Sequence, residues 1–358
     1  VSDMTIQNMD IAGNGGAFNL TTSGSVTLQD IMFNICQTTN ASDGGAVFVS
    51  STSTATIDRC KFKANYSFAT STADGSAIAN DGTATIQNSL FYDNNCGSTS
   101  SNGHIYSTGT TNIYNCTFTE NLASVAEVYI VGGTTTIKNS IFYNNGYTSY
   151  NVYKASGTGS ITYSLYDHAT YLITPTNSIY STDVDPIFMD ATTDDFSISA
   201  ISPCRDKGTE AAMPSVDIDG VTRGSGGTNT GTTYDIGCYE NACASGTYYV
   251  NDNSIVSDTW CSAVGNDLNG GTTGAPYLTL DKALRNCGCP GNTIRVDKGT
   301  FADDDLVLST DATSSALTIE GAGIDVTIFD GDVDASSAER FMTLNLASDN
   351  ISITDMTI

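Results

Sequence analysis

Apolar and polar positions alternate in short runs through residues 1–165, and the runs recur on a template. Val26-Thr-Leu-Gln-Asp-Ile-Met-Phe33 is followed by Ala55-Thr-Ile-Asp-Arg-Cys-Lys-Phe62 and Ala84-Thr-Ile-Gln-Asn-Ser-Leu-Phe91. Thr111-Asn-Ile-Tyr-Asn-Cys-Thr-Phe118 and Thr135-Thr-Ile-Lys-Asn-Ser-Ile-Phe142 continue the series. The final Phe advances by 29 (33 to 62), 29 (62 to 91), 27 (91 to 118) and 24 (118 to 142). Four of these Phe open a Phe-x-x-Asn tetrapeptide that ends at Asn65, Asn94, Asn121 or Asn145. A second apolar run follows each time: Gly15-Gly-Ala-Phe18, Gly44-Gly-Ala-Val47, Gly75-Ser-Ala-Ile78, then Ile105-Tyr and Val128-Tyr.

A period of two, rich in β-branched and aromatic residues and punctuated by Gly, Asn, Asp and Ser, predicts short strands joined by tight turns. A unit of 24–29 residues with two or three such strands cannot bury its apolar face alone. Stacking successive units does bury it. A β-sandwich would not keep the same residue types at the same offsets over five units, and helical repeats would need a longer apolar period. The pattern therefore predicts a parallel β-helix. Ile86, Ser89 and Phe91 should then stack about 4.8 Å from Ile57, Cys60 and Phe62. Asn88, Asn115 and Asn139 are expected to form an Asn ladder at a corner, satisfying turn backbone groups. Cys60 and Cys116 share a column with Ser89 between them. They would lie about 9–10 Å apart, beyond disulfide reach, and read as buried fillers.

From about residue 183 the register breaks. Val184-Asp-Pro-Ile-Phe188, Asp194-Asp-Phe-Ser-Ile198 and Ser202-Pro-Cys-Arg-Asp-Lys-Gly208 follow in order. Asp217-Ile-Asp-Gly220, Arg223 and Tyr234-Asp-Ile-Gly-Cys-Tyr-Glu240 complete the segment. This order resembles the closing segment of secreted bacterial right-handed β-helix proteins of the pectate-lyase-like superfamily. The Phe-x-x-Asn and Gly-Gly pairs are similar to the repeats of chlamydial polymorphic outer membrane proteins, over the rungs only. Residues 246–358 look like the beginning of such a domain. Tyr248-Tyr-Val250 is an opening strand, and Pro276 to Cys287 form an amphipathic helix with Thr279 as N-cap and Leu280, Ala283 and Leu284 on one face. Further rung strands are expected at 293–296, 306–308, 317–319, 326–328, 341–346 and 351–353. The resemblance implies an all-β, right-handed parallel β-helix with one short capping helix. Its parts would be rungs at 1–182, a closing segment at 183–245, and the cap and opening rungs of a next unit at 246–358.

The ends match. Val1-Ser-Asp-Met-Thr-Ile6 agrees with Ile353-Thr-Asp-Met-Thr-Ile358 at four of six positions, an offset of 352 (355 minus 3). Two arrangements fit: one period of a tandem array, or subunits stacked head to tail. Val1, Asp3, Met4 and Ile6 would meet Ile353, Asp355, Met356 and Ile358, with copies of the chain as partners and unpaired strand edges driving polymerisation. A start at Val1, with neither initiator Met nor signal peptide, reads as a mature product or a fragment.

Charge narrows the partners. Among 358 residues, 39 are acidic and 13 basic, a formal net charge of −26 at pH 7. With no basic run, nucleic acid and anionic membranes are excluded as partners. No apolar stretch approaches the roughly 20 residues that span a bilayer, so no membrane insertion is expected. Ten cysteines without metal spacing, in a chain rich in Ser, Thr and Asn, point to an oxidising exterior and to an extracellular or cell-surface location. Cys204 with Cys238, and Cys261 with Cys287 or Cys289, are candidate bridges across irregular segments. Sequons occur at Asn19, Asn40, Asn65, Asn115 and Asn350. Asn19, Asn40 and Asn65 are the candidate glycan acceptors, and Asn115 is disfavoured by its place in the expected ladder.

Chemistry is sparse. His104 and His168 stand alone and read as surface or turn residues. Arg59, Lys61 and Lys63 read as a solvated face. Asp58, Asp93, Glu120 and Glu127 take different offsets, so no carboxylate pair at hydrolase spacing emerges. No catalytic, cofactor-binding or metal residue is assigned. Asp330-Gly-Asp-Val-Asp334 begins like a calcium loop, but Ala335 and Phe341 replace its turn Gly and bidentate Glu. The Asp303-Asp-Asp305 run reads as a solvated turn. No cofactor is expected beyond weakly bound calcium on the acidic surface. The reading is a non-enzymatic, extracellular structural or adhesive protein, a repeating unit of a surface fibre. Glycans or host receptors are further candidate partners, through loops such as 97–103 or 224–233. The alternative is a carbohydrate-binding or polysaccharide-degrading β-helix protein, a lyase or hydrolase.

Overall fold

The computed structural model describes residues 4–39, 42–67, 75–96, 103–123, 125–146, 150–180, 184–224, 234–242, 244–303, 306–308, 317–330, 340–344 and 351–358. Contacts divide the chain into two units: residues 1–186, 206–224 and 232–240, and residues 187–205, 225–231 and 241–358.

The repeats of the first unit stack as parallel rungs. Strands ending near each repeated Phe form an eight-stranded sheet from Met4–Gln7 to Ile179–Tyr180, here the first sheet. A seven-stranded second sheet runs from Phe18–Leu20 to Thr170–Tyr171. A six-stranded third sheet runs from Ser25–Gln29 to Thr158–Thr162. Registers match the sequence template, with Phe62 paired to Phe91 and Ile57 to Ile86. Alternation puts one side chain in two inside, and like stacks on like. Phe33, Phe62, Phe91, Phe118 and Phe142 stack at centroid distances of 4.8, 4.6, 4.5 and 4.7 Å, all with no exposed surface. Cys60 and Cys116 are buried thiols in one column, as expected. Their amides bond to Ser89 and Ser140 hydroxyls of the next rung at 3.2 and 3.3 Å. The turn before the second sheet needs Gly44 at φ +70°, and a Cβ on Gly45 would lie 1.9 Å from the Ser76 carbonyl.

Corners explain the Asn and Asp content, though not as expected. Asp30, Arg59, Asn88, Asn115 and Asn139 join the third sheet to the first at φ of 56°, 50°, 47°, 51° and 51°. This left-handed conformation is one that Asn and Asp tolerate best among residues with a side chain. Their amides do not stack into a ladder. The ladder forms instead from the Phe-x-x-Asn residues after the first sheet. Asn65 Nδ2 donates to Asn94 Oδ1 at 2.9 Å, Asn94 to Asn121 at 3.0 Å, and Asn121 to Asn145 at 3.2 Å. Each Nδ2 also donates to the Phe carbonyl of the preceding rung, at 2.8–3.1 Å. The left-handed corner turns its own side chain away from the axis, so only the residue beyond the corner can point along the stack.

Asn88, Asn115 and Asn139 serve a different purpose: they receive the described residues of 206–224 and 234–240. Asn139 exchanges two bonds with Thr209, at 2.7 and 2.9 Å, and Asn115 donates to the Asp235 carbonyl. The Cys238 amide donates to Thr117 Oγ1 at 3.1 Å, and Arg223 Nη2 to Asn88 Oδ1 at 3.0 Å. Gly237 (φ +108°) comes so close that a Cβ there would sit 2.7 Å from Ile141 Cδ1. The segment is thus an arm laid along the outside of the first sheet, where Leu90, Thr117, Ile141 and Leu165 are buried.

The second unit repeats the rung logic around a helix, Leu280–Cys287. Thr279 caps it by accepting from the Lys282 amide, and Leu280, Ala283, Leu284 and Cys287 are buried, as the apolar face predicts. Asp303, read as part of a solvated turn, accepts from the Leu280 and Asp281 amides at 3.1 and 3.2 Å, where the helix dipole favours an acid. A parallel sheet carries Thr247–Val250, Thr293–Val296, Leu317–Gly321 and Ile351–Thr354 in that order. The hairpin of Phe188–Asp190 with Asp195–Ile198 belongs here too. Arg285 Nη1 donates to the Phe188 carbonyl, and the Ala200 amide donates to that of Arg285. Contacts therefore divide the segment 183–245 between the two units, because its hairpin packs on the helix while its arm packs on the rungs.

Candidate functional site

A buried polar cluster inside the first unit gathers on the second sheet, on the side away from inward-facing Ile105, Val128 and Val152. Strand pairing aligns Gly103 with Ala126 and Ala126 with Tyr150, which brings His104, Glu127 and Asn151 into one column. All three are fully buried. Ser76 Oγ lies 2.5 Å from His104 Nδ1, and Cys96 Sγ lies 3.4 Å from the same nitrogen. Glu127 Oε2 is 3.7 Å from His104 Nε2 and accepts from Asn121 Nδ2 at 3.2 Å, which ties the column to the Asn ladder. Farther along, Asn151 Nδ2 donates to Asp167 Oδ1, which His168 Nδ1 also meets at 2.8 Å. Glu127 Oε1 is buried with no hydrogen-bond partner.

A hydroxyl or thiol beside an imidazole and a carboxyl has the parts of a nucleophilic site. The electrostatics do not poise it. Desolvation pushes His104 down to about 3, leaving a neutral ring that is a poor base near pH 7. Desolvation, reinforced by Asp167, holds Glu127 well above the usual carboxylate range, against the opposing bond from Asn121. At 3.7 Å the His104 imidazole and the Glu127 carboxyl are not hydrogen-bonded. Burial thus disfavours the charged form of both His104 and Glu127.

Its pH dependence has a definite sign. A raised Glu127 favours folding below the unfolded value of about 4.5 and loses that contribution as pH rises. A depressed His104 contributes fully above about 6.5 and is lost as pH falls towards 3. Glu127→Gln should therefore raise Tm relative to the parent at pH 8 and leave it unchanged at pH 4. The gain should be about 2–4 °C for each kcal/mol relieved. Scanning calorimetry at the two pH values checks this; an equal shift at both would contradict it.

The cluster was missed in the sequence, where His104 reads as a surface or turn residue. The signal was present: Gly103-His-Ile-Tyr, Ala126-Glu-Val-Tyr and Tyr150-Asn-Val-Tyr place His104, Glu127 and Asn151 at one offset. Other candidates stay apart. Asp58 accepts from Gln29 and Asn88 and pairs with Arg59, while Asp93 and Glu120 are left-handed corner residues. Arg59 is likewise a corner residue in a 2.7 Å ion pair with Asp30, and Lys63 lies over the Tyr92 ring. Among the described residues no group of three or more His, Cys, Asp or Glu could hold a metal ion. The loops 97–103 and 224–233 and the Asp330–Asp334 motif fall almost wholly outside the described residues.

Neither expected cysteine pairing is present. Cys204, Cys238, Cys261 and Cys287 all carry thiols, so Cys204–Cys238, Cys261–Cys287 and Cys261–Cys289 are not bridges. Cys289 is held in a disulfide. Packing and hydrogen bonds position the segments that staples were expected to hold. Asn65 is corrected as a glycan acceptor: it is not in an open turn but in the ladder, fully buried with both amide atoms bonded. Asn115 is buried too, Asn19 is exposed on a strand, and Asn40 and Asn350 lie outside the described residues. Of the end residues, Met4 and Ile6 sit on the first-sheet strand Met4–Gln7. Ile353 sits on Ile351–Thr354, Asp355 turns a corner, and Met356 and Ile358 follow it; Val1 and Asp3 lie outside the described residues.

Residues 1–165 match the family model described as the right handed beta helix region. No curated protein and no solved structure matches the chain. The match, over residues 1–165, and the stacked rungs support a right-handed β-helix repeat fold. No helix among the described residues is long and apolar enough to cross a membrane.

Proposed function

We propose that the chain is a repeating, non-enzymatic segment of an extracellular surface fibre or adhesin, its partners being further copies of itself. One observation carries the reading. Met4-Thr-Ile6 and Met356-Thr-Ile358 are the same sequence, and each follows an Asp; the first lies on a strand paired beside Phe33, and the second makes a parallel bridge from Thr357 to Ile328, beside Phe329. A chain whose late rung repeats its early one carries the register for extension by further copies. Backbone hydrogen bonds along the axis supply stiffness, and the net charge of −26 keeps rods apart sideways. A fully buried His104, held neutral by desolvation, favours the mechanical reading over a hydrolase or lyase. Sedimentation at micromolar concentration with electron microscopy tests the proposal. Concentration-dependent filaments are expected; a stable monomer throughout that range would overturn it.

A further inference from the structure

We propose that two copies join by sharing one rung, in a defined register, rather than by laying one complete rung upon another. The inference rests on the assembly reading above and specifies its geometry.

Two corners fix the register. In the first unit Asp30, at φ +56°, turns the third-sheet strand Ser25–Gln29 into the first-sheet strand Ile31–Asn34. Leu28 points inward two residues before it, and Phe33 three residues after. In the second unit Asp355, at φ +58°, turns Ile351–Thr354 into Met356-Thr-Ile358. Thr357 pairs with Ile328, and the Phe329 amide donates to its carbonyl at 2.9 Å, which sets Ile358 beside Phe329. Ile6 pairs with Phe33 in the same way. Met4–Ile6 and Met356–Ile358 are therefore the same step of a rung, not neighbouring steps.

Among the described residues, Ser25–Gln29 and Ile351–Thr354 are each an end strand of their sheets. A shared rung brings them directly together: Val26 on Ile351, Thr27 on Ser352, Leu28 on Ile353, Gln29 on Thr354, with Asp30 over Asp355. The buried stack of Ile57 and Leu28 then continues into Ile353 and Ile319 of the other copy. To reach this arrangement, Met356-Thr-Ile358 of one copy takes the place of Met4-Thr-Ile6 on Ile31–Phe33. The residues are identical, so the exchange conserves its contacts, as in domain swapping, and the pairing on Ser25–Gln29 is a net gain. In a covalent array the same register arises when Ile358 is followed by the equivalent of Gln7. Stacking complete rungs would instead lay Thr5 on Thr357 and leave Thr27 and Ser352 about 9–10 Å apart, two strand spacings.

Cysteine cross-linking between full-length chains separates the modes, because directly paired residues lie within disulfide reach and two spacings do not. Thr27→Cys is mixed with Ser352→Cys, and separately Thr5→Cys with Thr357→Cys, under mild oxidation with the parent chain as background. The shared rung predicts that the 27/352 pair gives cross-linked dimer at least tenfold faster. Dimer from 5/357 alone would overturn the shared rung while leaving head-to-tail assembly standing. Filaments with no dimer from either pair would also overturn it. No dimer from either pair, with a monomer in sedimentation, would overturn both.

Discussion

Asn94→Ala should destabilise the first unit by about 3 kcal/mol or more, since several buried groups lose partners at once and each such loss costs about 1–3 kcal/mol. Asn94 Oδ1 accepts from the Asn65 backbone amide at 3.0 Å and from Asn65 Nδ2 at 2.9 Å. Its Nδ2 donates to the Phe62 carbonyl at 2.8 Å and to Asn121 Oδ1 at 3.0 Å. The residue is fully buried, so water cannot take its place. Thr85→Ala, on the outward side of the same rung, should stay within about 0.5 kcal/mol of the parent. Urea midpoints followed by circular dichroism compare the two. If they move equally, the ladder is not what holds the corner. Coupling between rungs gives the loss a spatial signature as well. Amide exchange should accelerate at Asn65 and Leu122, whose amides lie beside the broken step, before it accelerates at Ile161.

How much of this was legible in the sequence depends on whether a residue's role is set by its own rung. The Phe, Ile and Cys/Ser columns were readable because stacking demands the same residue type at the same offset. The helix was readable from Thr279 and the spacing of Leu280, Ala283 and Leu284. Two features were misplaced. Asn88, Asn115 and Asn139 repeat as regularly as Asn65, Asn94, Asn121 and Asn145, and periodicity cannot say which set points along the axis. The left-handed φ at the first set decides it. The His104 cluster was overlooked for a different reason. Its members differ chemically from rung to rung, so a search for identical residues passed over a column that was nonetheless in register. The arm was recognisable from the order of anchors such as Asp217, Arg223 and Glu240, through its resemblance to a closing segment. That it lies along the rungs follows only from contacts more than 100 residues apart in sequence, such as Arg223 with Asn88.

Arg223→Met should release that arm. The guanidinium is fully buried, with Nη1 on Glu240 Oε2 at 3.2 Å and Nη2 on Asn88 Oδ1 and the carbonyls of Gly237 and Cys238. Glu240 in turn accepts from the Gly224 and Asp235 amides at 2.7 and 3.0 Å. Removing one member of a buried ion pair strands the other, at a cost of about 3–5 kcal/mol. The arm holds Cys238, whose thiol burial pushes up to about 12, so the parent should resist thiol reagents at neutral pH. In Arg223→Met, labelling at Cys238 and proteolysis within 206–240 should appear while the Phe columns remain folded. The pH dependence distinguishes a stranded charge from lost packing. Burial already raises Glu240, opposed by the two amides and by Arg223. Without Arg223 it rises further, so the stability deficit should grow as pH increases above about 4.5. Adding Glu240→Gln to Arg223→Met should flatten that slope without restoring the bonds to Asn88. A deficit independent of pH in Arg223→Met would mean that the side chain acts by filling space, and the arm would then be held by its backbone contacts to Asn139 and Thr117.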